Sequence, residues 1–157
     1  MKTTKKPAPK KSSAKLPAKK VISKSLPKKI ATANKPKAQK AKDTYQSLAL
    51  EAAQLAYDTK AGDIMVLDLT KLPSFTDYFV ICSGTSDRQV QAICDRIHRT
   101  LKDKGQLPLG IEGRDKAHWI LMDYGPVVVH IFYTETREHY AIERFWGDAP
   151  QMKLKLK

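Results

Sequence analysis

The stretch with the most chemical promise is SGTS (83–86), a small-residue turn between a strand pattern and a helical one. Free N–H groups at a helix start bind phosphate, and Gly84 permits close backbone approach. However, no G-K-[ST] completes a P-loop and no G-x-G-x-x-G is present. A nucleotidyltransferase would follow such a turn with paired carboxylates that hold magnesium. No D-x-D or D-x-E lies on the downstream strands, and Glu112 and Asp123 stand alone on separate segments. The turn therefore reads as a helix cap, and the rival reading, a nucleotide-binding enzyme, rests on it alone. His98, His118, His130 and His139 form no i, i+4 pair and have no cysteine neighbour at ligand spacing. His118 and His130 come close only if adjacent strands carry them, which favours a structural pair over a metal site. Ser83 and Ser86 lack the G-x-S-x-G elbow. The expectation is no catalytic residue, no metal and no cofactor.

Charge divides the chain. Residues 1–42 contain 15 Lys, no Arg and no acid, whereas residues 43–150 carry 11 Lys and Arg against 16 Asp and Glu. A folded domain that grips nucleic acid needs a positive face. This body is mildly acidic, so it suits a basic protein surface or a second copy of itself. The first 42 residues combine Lys, Pro, Ala and Ser without an aromatic, a composition that cannot offset the cost of ordering the backbone. They are expected to be a disordered tail, serving either as an electrostatic tether to RNA or as a solubilising extension. Acid-poor transit peptides favour Arg, and this tail has none. No apolar run approaches the ~18–20 residues of a membrane span. Cys82 and Cys94 are not in CxxC spacing and read as free buried thiols. The expected setting is the cytoplasm, with an organelle as the alternative.

From Asp43 the pattern becomes that of one domain, 43–150. Asp43 with Gln46 suggests a helix cap, and Leu48, Ala52 and Leu55 repeat at helical spacing until Gly62. IMVLDL (64–69) and DYFVICSG (77–84) read as strands. Ser86 and Gln89 form an S-x-x-Q capping box, and behind it Val90, Ile93, Ile97 and Leu101 mark the most regular helix, ending at Gly105. A short strand at Leu107–Ile111, two strands within 118–133 and a helix near Glu135–Trp146 follow. The order αββαβββα predicts an α/β fold, a mixed sheet of five strands flanked by helices. Residues 151–157 read as a frayed basic terminus.

The segment HWILMDYGPVVVHIFY (118–133) poses the functional question. Alternation places Trp119, Leu121 and Asp123 on one side of a strand and His118, Ile120, Met122 and Tyr124 on the other. Val128, His130 and Phe132 likewise oppose Val127, Val129, Ile131 and Tyr133. Both sides are largely apolar, so one faces the core and the other needs cover. Either a helix of the same chain supplies it, or the Trp119 set is partly exposed and receives a basic protein. In that case Trp119 brings contact area and Asp123 pairs with Lys or Arg at the rim.

DYFVICSGTSDRQVQAI, LPLGIEG and WILMDYGPVVVHIF, followed by REHYAIERFWGDA, resemble blocks of the ribosomal silencing factors, the Iojap-related proteins, over roughly residues 44–149. The resemblance implies a nucleotidyltransferase-like α/β fold without catalytic carboxylates. It also implies a homodimer that binds ribosomal protein fourteen of the large subunit, blocks association with the small subunit and represses translation. A role in large-subunit assembly is the alternative. Carried over residue by residue, Trp119 is the first choice for the ribosomal-protein contact, beside Leu121 and Asp123. Glu112, Tyr124, Arg137 and Tyr140 come from the flanking blocks. Pro126 departs from the acidic residue usual in the family after the glycine, which bears on the turn. The Lys-rich tail lies outside the family pattern; if it has a partner, that partner is ribosomal RNA.

Overall fold

The computed structural model describes residues 35–157, with side chains from residue 41 onward. The tail reading for residues 1–34 lies outside the described residues. The elements are α1 (Lys35–Asp58), β1 (Gly62–Asp68), β2 (Tyr78–Gly84), α2 (Asp87–Asp103), β3 (Gly110–Glu112), β4 (Trp119–Asp123), β5 (Val127–Tyr133) and α3 (Thr134–Tyr140), then a 3-10 segment, Ile142–Trp146. The order expected from sequence holds. The five strands form one mixed sheet, β1-β2-β5-β4-β3, in which only the central β2–β5 pair is parallel.

α1 starts upstream of the expected cap. Residues 35–42 are helical, so Asp43 lies within the helix and the boundary drawn at residue 42 falls inside an element. The run KAQKAK consists of good helix formers, and Pro36 sits in the first turn, where a missing N–H costs no helical bond. Ala49, Ala52, Ala53 and Ala56 are fully buried, and their small side chains let α1 lie close on the sheet. The helix ends at Asp58 and Lys60 turns the chain in a left-handed conformation (φ 63°), ahead of Gly62, with the Ala61 N–H reaching back to the Ala56 carbonyl.

α2 follows its pattern. Ser86 caps it, accepting the Gln89 N–H, and Val90, Ile93, Ile97 and Leu101 are all buried. The Gln89 side chain reaches one residue further back than a reciprocal box, to the Thr85 N–H. Gly84 is needed for packing: an added Cβ would stand 2.9 Å from Val90 Cγ2 and 3.1 Å from Val90 N. The close approach that suggested a phosphate turn is taken by the chain's own helix.

One sheet face carries Val66, Tyr78, Val80, Cys82, Ile120, Met122, Tyr124, Val127, Val129 and Ile131 against α1 and α2. The other carries Leu67, Phe79, Ile81, Val128 and Phe132, over which Ile142, Trp146 and Ala149 pack. Being covered on both sides, β2 is buried at every position, which accounts for strands that are apolar on both sets.

Two further expectations are corrected. The last helix breaks at Ala141, which adopts a left-handed conformation (φ 41°, ψ 47°), and continues only as the 3-10 segment. The C-terminus is docked, not frayed. Gln151 bridges to Leu67, the Met152 N–H bonds to the Val66 carbonyl, and Lys157 exchanges hydrogen bonds with the Gln54 side chain. Met152, Leu154 and Leu156 are half-buried against the core while Lys153, Lys155 and Lys157 point outward. That extended segment covers the outer edge of β1, and outward lysines suit an edge that must not pair further.

Candidate functional site

The second sheet face is covered unevenly. Trp146 stands edge-on to Phe79, with ring centroids 5.4 Å apart, so the 3-10 segment shields the side near β1, β2 and β5. Toward β4 and β3 the cover thins. There Trp119, Leu121 and Asp123 share one face of β4, all half-buried, with exposed Glu112 beside Leu121 on β3. Of the two readings left open for the hairpin, the Trp119 set is neither sealed nor free.

Trp119 lies across β5, stacked on Phe132 with centroids 4.8 Å apart and planes 25° apart. Tyr140, 49% exposed, leans on it from the end of α3 at 5.2 Å. The indole N–H donates to His130 Nδ1 at 3.3 Å. Beside Trp119 and Tyr140 opens a cavity of about 440 Å³, also lined by Lys116, His118, Glu135 and His139.

Asp123 has a structural use. Its Oδ1 accepts the Gly125 N–H at 2.6 Å, and Gly125 takes φ 80°, so the carboxylate closes the Tyr-Gly-Pro turn. The Pro126 carbonyl accepts the N–H groups of Asp77 and Tyr78, which ties that turn to the start of β2. This explains why an apolar strand ends in an acid.

Two residues brought forward from the flanking blocks are withdrawn from the surface. Tyr124 falls on the opposite face with its ring in the core, 8% exposed, and burial pushes its hydroxyl up to about 12. Arg137 is 6% exposed: Nη1 donates to the Asp63 carbonyl and Ser83 Oγ, and Nε to Glu143 Oε1. It clamps the start of β1 and the end of β2 to the 3-10 segment. The helical spacing of REHY cannot show that Arg137 turns inward. Trp119, Leu121, Asp123, Glu112 and Tyr140 are the residues brought together.

His118 and His130 are separate. His118 pairs with Tyr133 (centroids 6.3 Å), while His130 accepts the Trp119 indole N–H, so the expected His118–His130 pair does not form. Burial, with no charged neighbour contributing, pushes His130 down to about 4. Cys82 and Cys94 are free and buried, and burial raises their thiols to about 12 and about 11. Among the described residues no three His, Cys, Asp or Glu side chains gather as a metal site, and no helix is long and apolar enough to cross a membrane. Sequence reasoning missed exposed Phe75, Leu109 and Phe145, since exposure of a lone apolar residue leaves no periodic trace.

The domain is an α/β fold with a half-open aromatic and acidic face on β4. The family model for ribosomal silencing factors during starvation matches residues 39–157, and the chain belongs to that family. The Bacillus subtilis ribosomal silencing factor RsfS is 44% identical over 103 residues, 66% of this chain and 87% of its own length. A crystal structure of a Chromobacterium violaceum protein superposes with a TM-score of 0.61 at 34% identity, covering 73% of this chain and 92% of that one. A mouse relative, mitochondrial assembly of ribosomal large subunit protein 1, is 38% identical over 89 residues, which are 55% of this chain and 39% of the mouse protein.

Proposed function

We propose that this protein represses translation without catalysis, by docking on ribosomal protein fourteen of the large subunit and excluding the small subunit by its bulk. The observation that carries this is the half-open face of β4, with Trp119 and Leu121 flanked by Asp123 and Glu112, on a body with 16 acids against 11 bases. An aromatic anchor within an acidic rim suits a basic ribosomal protein: the indole supplies buried area and the carboxylates set partner and register. A patch of standard size, burying ~1,600 Å² in total, supports stable binding. Tyr140 extends the apolar contact, and the Lys-rich N-terminal segment adds a hold on ribosomal RNA phosphates. The acting form on this reading is a cytoplasmic homodimer.

The test is co-sedimentation with purified large subunits. Trp119→Ala is expected to weaken binding by about 2 kcal/mol or more, the scale of an interface hot spot. A folded variant with an unchanged sedimentation profile refutes the assignment.

The mouse relative's name, which speaks of large-subunit assembly, favours a second reading in which the same docking serves maturation. Profiles of subunit precursors and monosomes in a deletion strain separate the two. Accumulated precursors indicate assembly, whereas normal subunits with excess monosomes under starvation indicate repression.

A further inference from the structure

We infer that His130 is the positioning residue of this face: its imidazole accepts the Trp119 indole N–H and so holds the indole in the orientation a partner meets. The consequence for ribosome binding rests on the docking reading above, while the positioning itself does not.

The indole nitrogen can only donate, so His130 Nδ1 at 3.3 Å must carry a lone pair and the imidazole proton sits on Nε2. The other supports of Trp119 are ring contacts. Phe132 stacks beneath it at 4.8 Å and Tyr140 leans on it at 5.2 Å, contacts less directional than a hydrogen bond. The hydrogen bond to His130 fixes the direction in which the indole N–H points.

The imidazole is itself immobilised. It is 5% exposed, nearly parallel to Phe132 at 13°, and faces the edge-on Phe79 ring at 4.8 Å. Its cross-strand neighbours, Ile81 and Leu121, are aliphatic. This placement carries a penalty, because Nε2 is buried without a hydrogen-bond partner. The other residues of β5 on this face, Val128 and Phe132, are apolar, and an aliphatic residue at 130 would avoid the penalty. What histidine supplies and an aliphatic residue does not is the acceptor aimed at Trp119. The apolar surroundings keep the ring neutral, so the acceptor persists at physiological pH.

The experiment uses the full chain with Trp146→Phe, which leaves Trp119 as the sole tryptophan. In the parent protein, 15N spectra are expected to show Nδ1 of His130 unprotonated and the Trp119 indole N–H slow to exchange. A protonated Nδ1 or a freely exchanging indole overturns the inference without any further variant. His130→Leu is expected to raise acrylamide quenching of Trp119, and His130→Asn, whose Oδ1 occupies the place of Nδ1, to restore the parent value. Equal quenching in all three proteins overturns it. At the ribosome, His130→Leu is expected to weaken large-subunit binding about fivefold, the scale of one neutral hydrogen bond, with His130→Asn close to parent. Trp119→Ala bound as well as parent overturns the docking reading instead, whatever the quenching shows.

Discussion

Gly113 and Trp119 meet backbone to backbone: a Cβ added to Gly113 would stand 2.0 Å from the Trp119 carbonyl oxygen, and Gly113 takes φ 75°. Both the close contact and the left-handed conformation exclude a side chain. Gly113→Ala is expected to cost about 2 kcal/mol or more and to shift the start of β4, and the indole with it. Urea denaturation together with large-subunit binding checks this; parent-like stability would show that the loop yields easily.

Asp123 combines a turn-closing role with a rim position, and one substitution separates them. Asn retains an acceptor for the Gly125 N–H but removes the charge. Asp123→Asn is expected to keep stability within about 0.5 kcal/mol while weakening large-subunit binding and flattening its salt dependence, whereas Asp123→Ala loses about 1 kcal/mol of stability. If Asp123→Asn binds like the parent, the carboxylate serves the turn alone.

His130 makes stability sensitive to acid. Its folded pKa of about 4 lies below the unfolded value of 6.5, so the unfolded chain takes up the proton first. The contribution is complete above 6.5 and is lost as pH falls from there toward 4, with a ceiling on the order of 3 kcal/mol. Urea midpoints against pH should fall across that window in the parent and flatten in His130→Leu. Parallel curves would exclude His130 as the source.

The docked C-terminus is testable through its alternation. Leu154→Asp with Leu156→Asp is expected to cost on the order of 2 kcal/mol, because both side chains pack on the core. Lys153→Gln with Lys155→Gln should stay within about 0.5 kcal/mol, as both are exposed. An unchanged urea midpoint in the Asp pair would mean the segment contributes nothing to the fold.

The comparison of pattern with structure turns on the reach of each interaction. Val90, Ile93, Ile97 and Leu101 revealed α2 because a helix repeats within four residues, and the Ser86 cap acts over three. The KLKLK alternation was visible too, yet nothing local showed that its leucines find β1 and α1. The Gln54–Lys157 hydrogen bonds span 103 residues. Arg137 and Tyr140 sit three apart on one short helix, but the first turns in toward Ser83 and Asp63 while the second stays at the surface. Propensity does not distinguish them.

By itself the sequence determined the order of elements, the α/β class and the acidic body, all of which follow from short-range periodicity and composition. Only the tertiary structure decided how much of the Trp119 face stays open, that Asp123 closes a turn, and that His130 accepts the indole N–H. Those outcomes depend on which distant segments cover a sheet face and where the cover stops. Local pattern does not encode that, because β2 and β5 are apolar enough to be covered on either side.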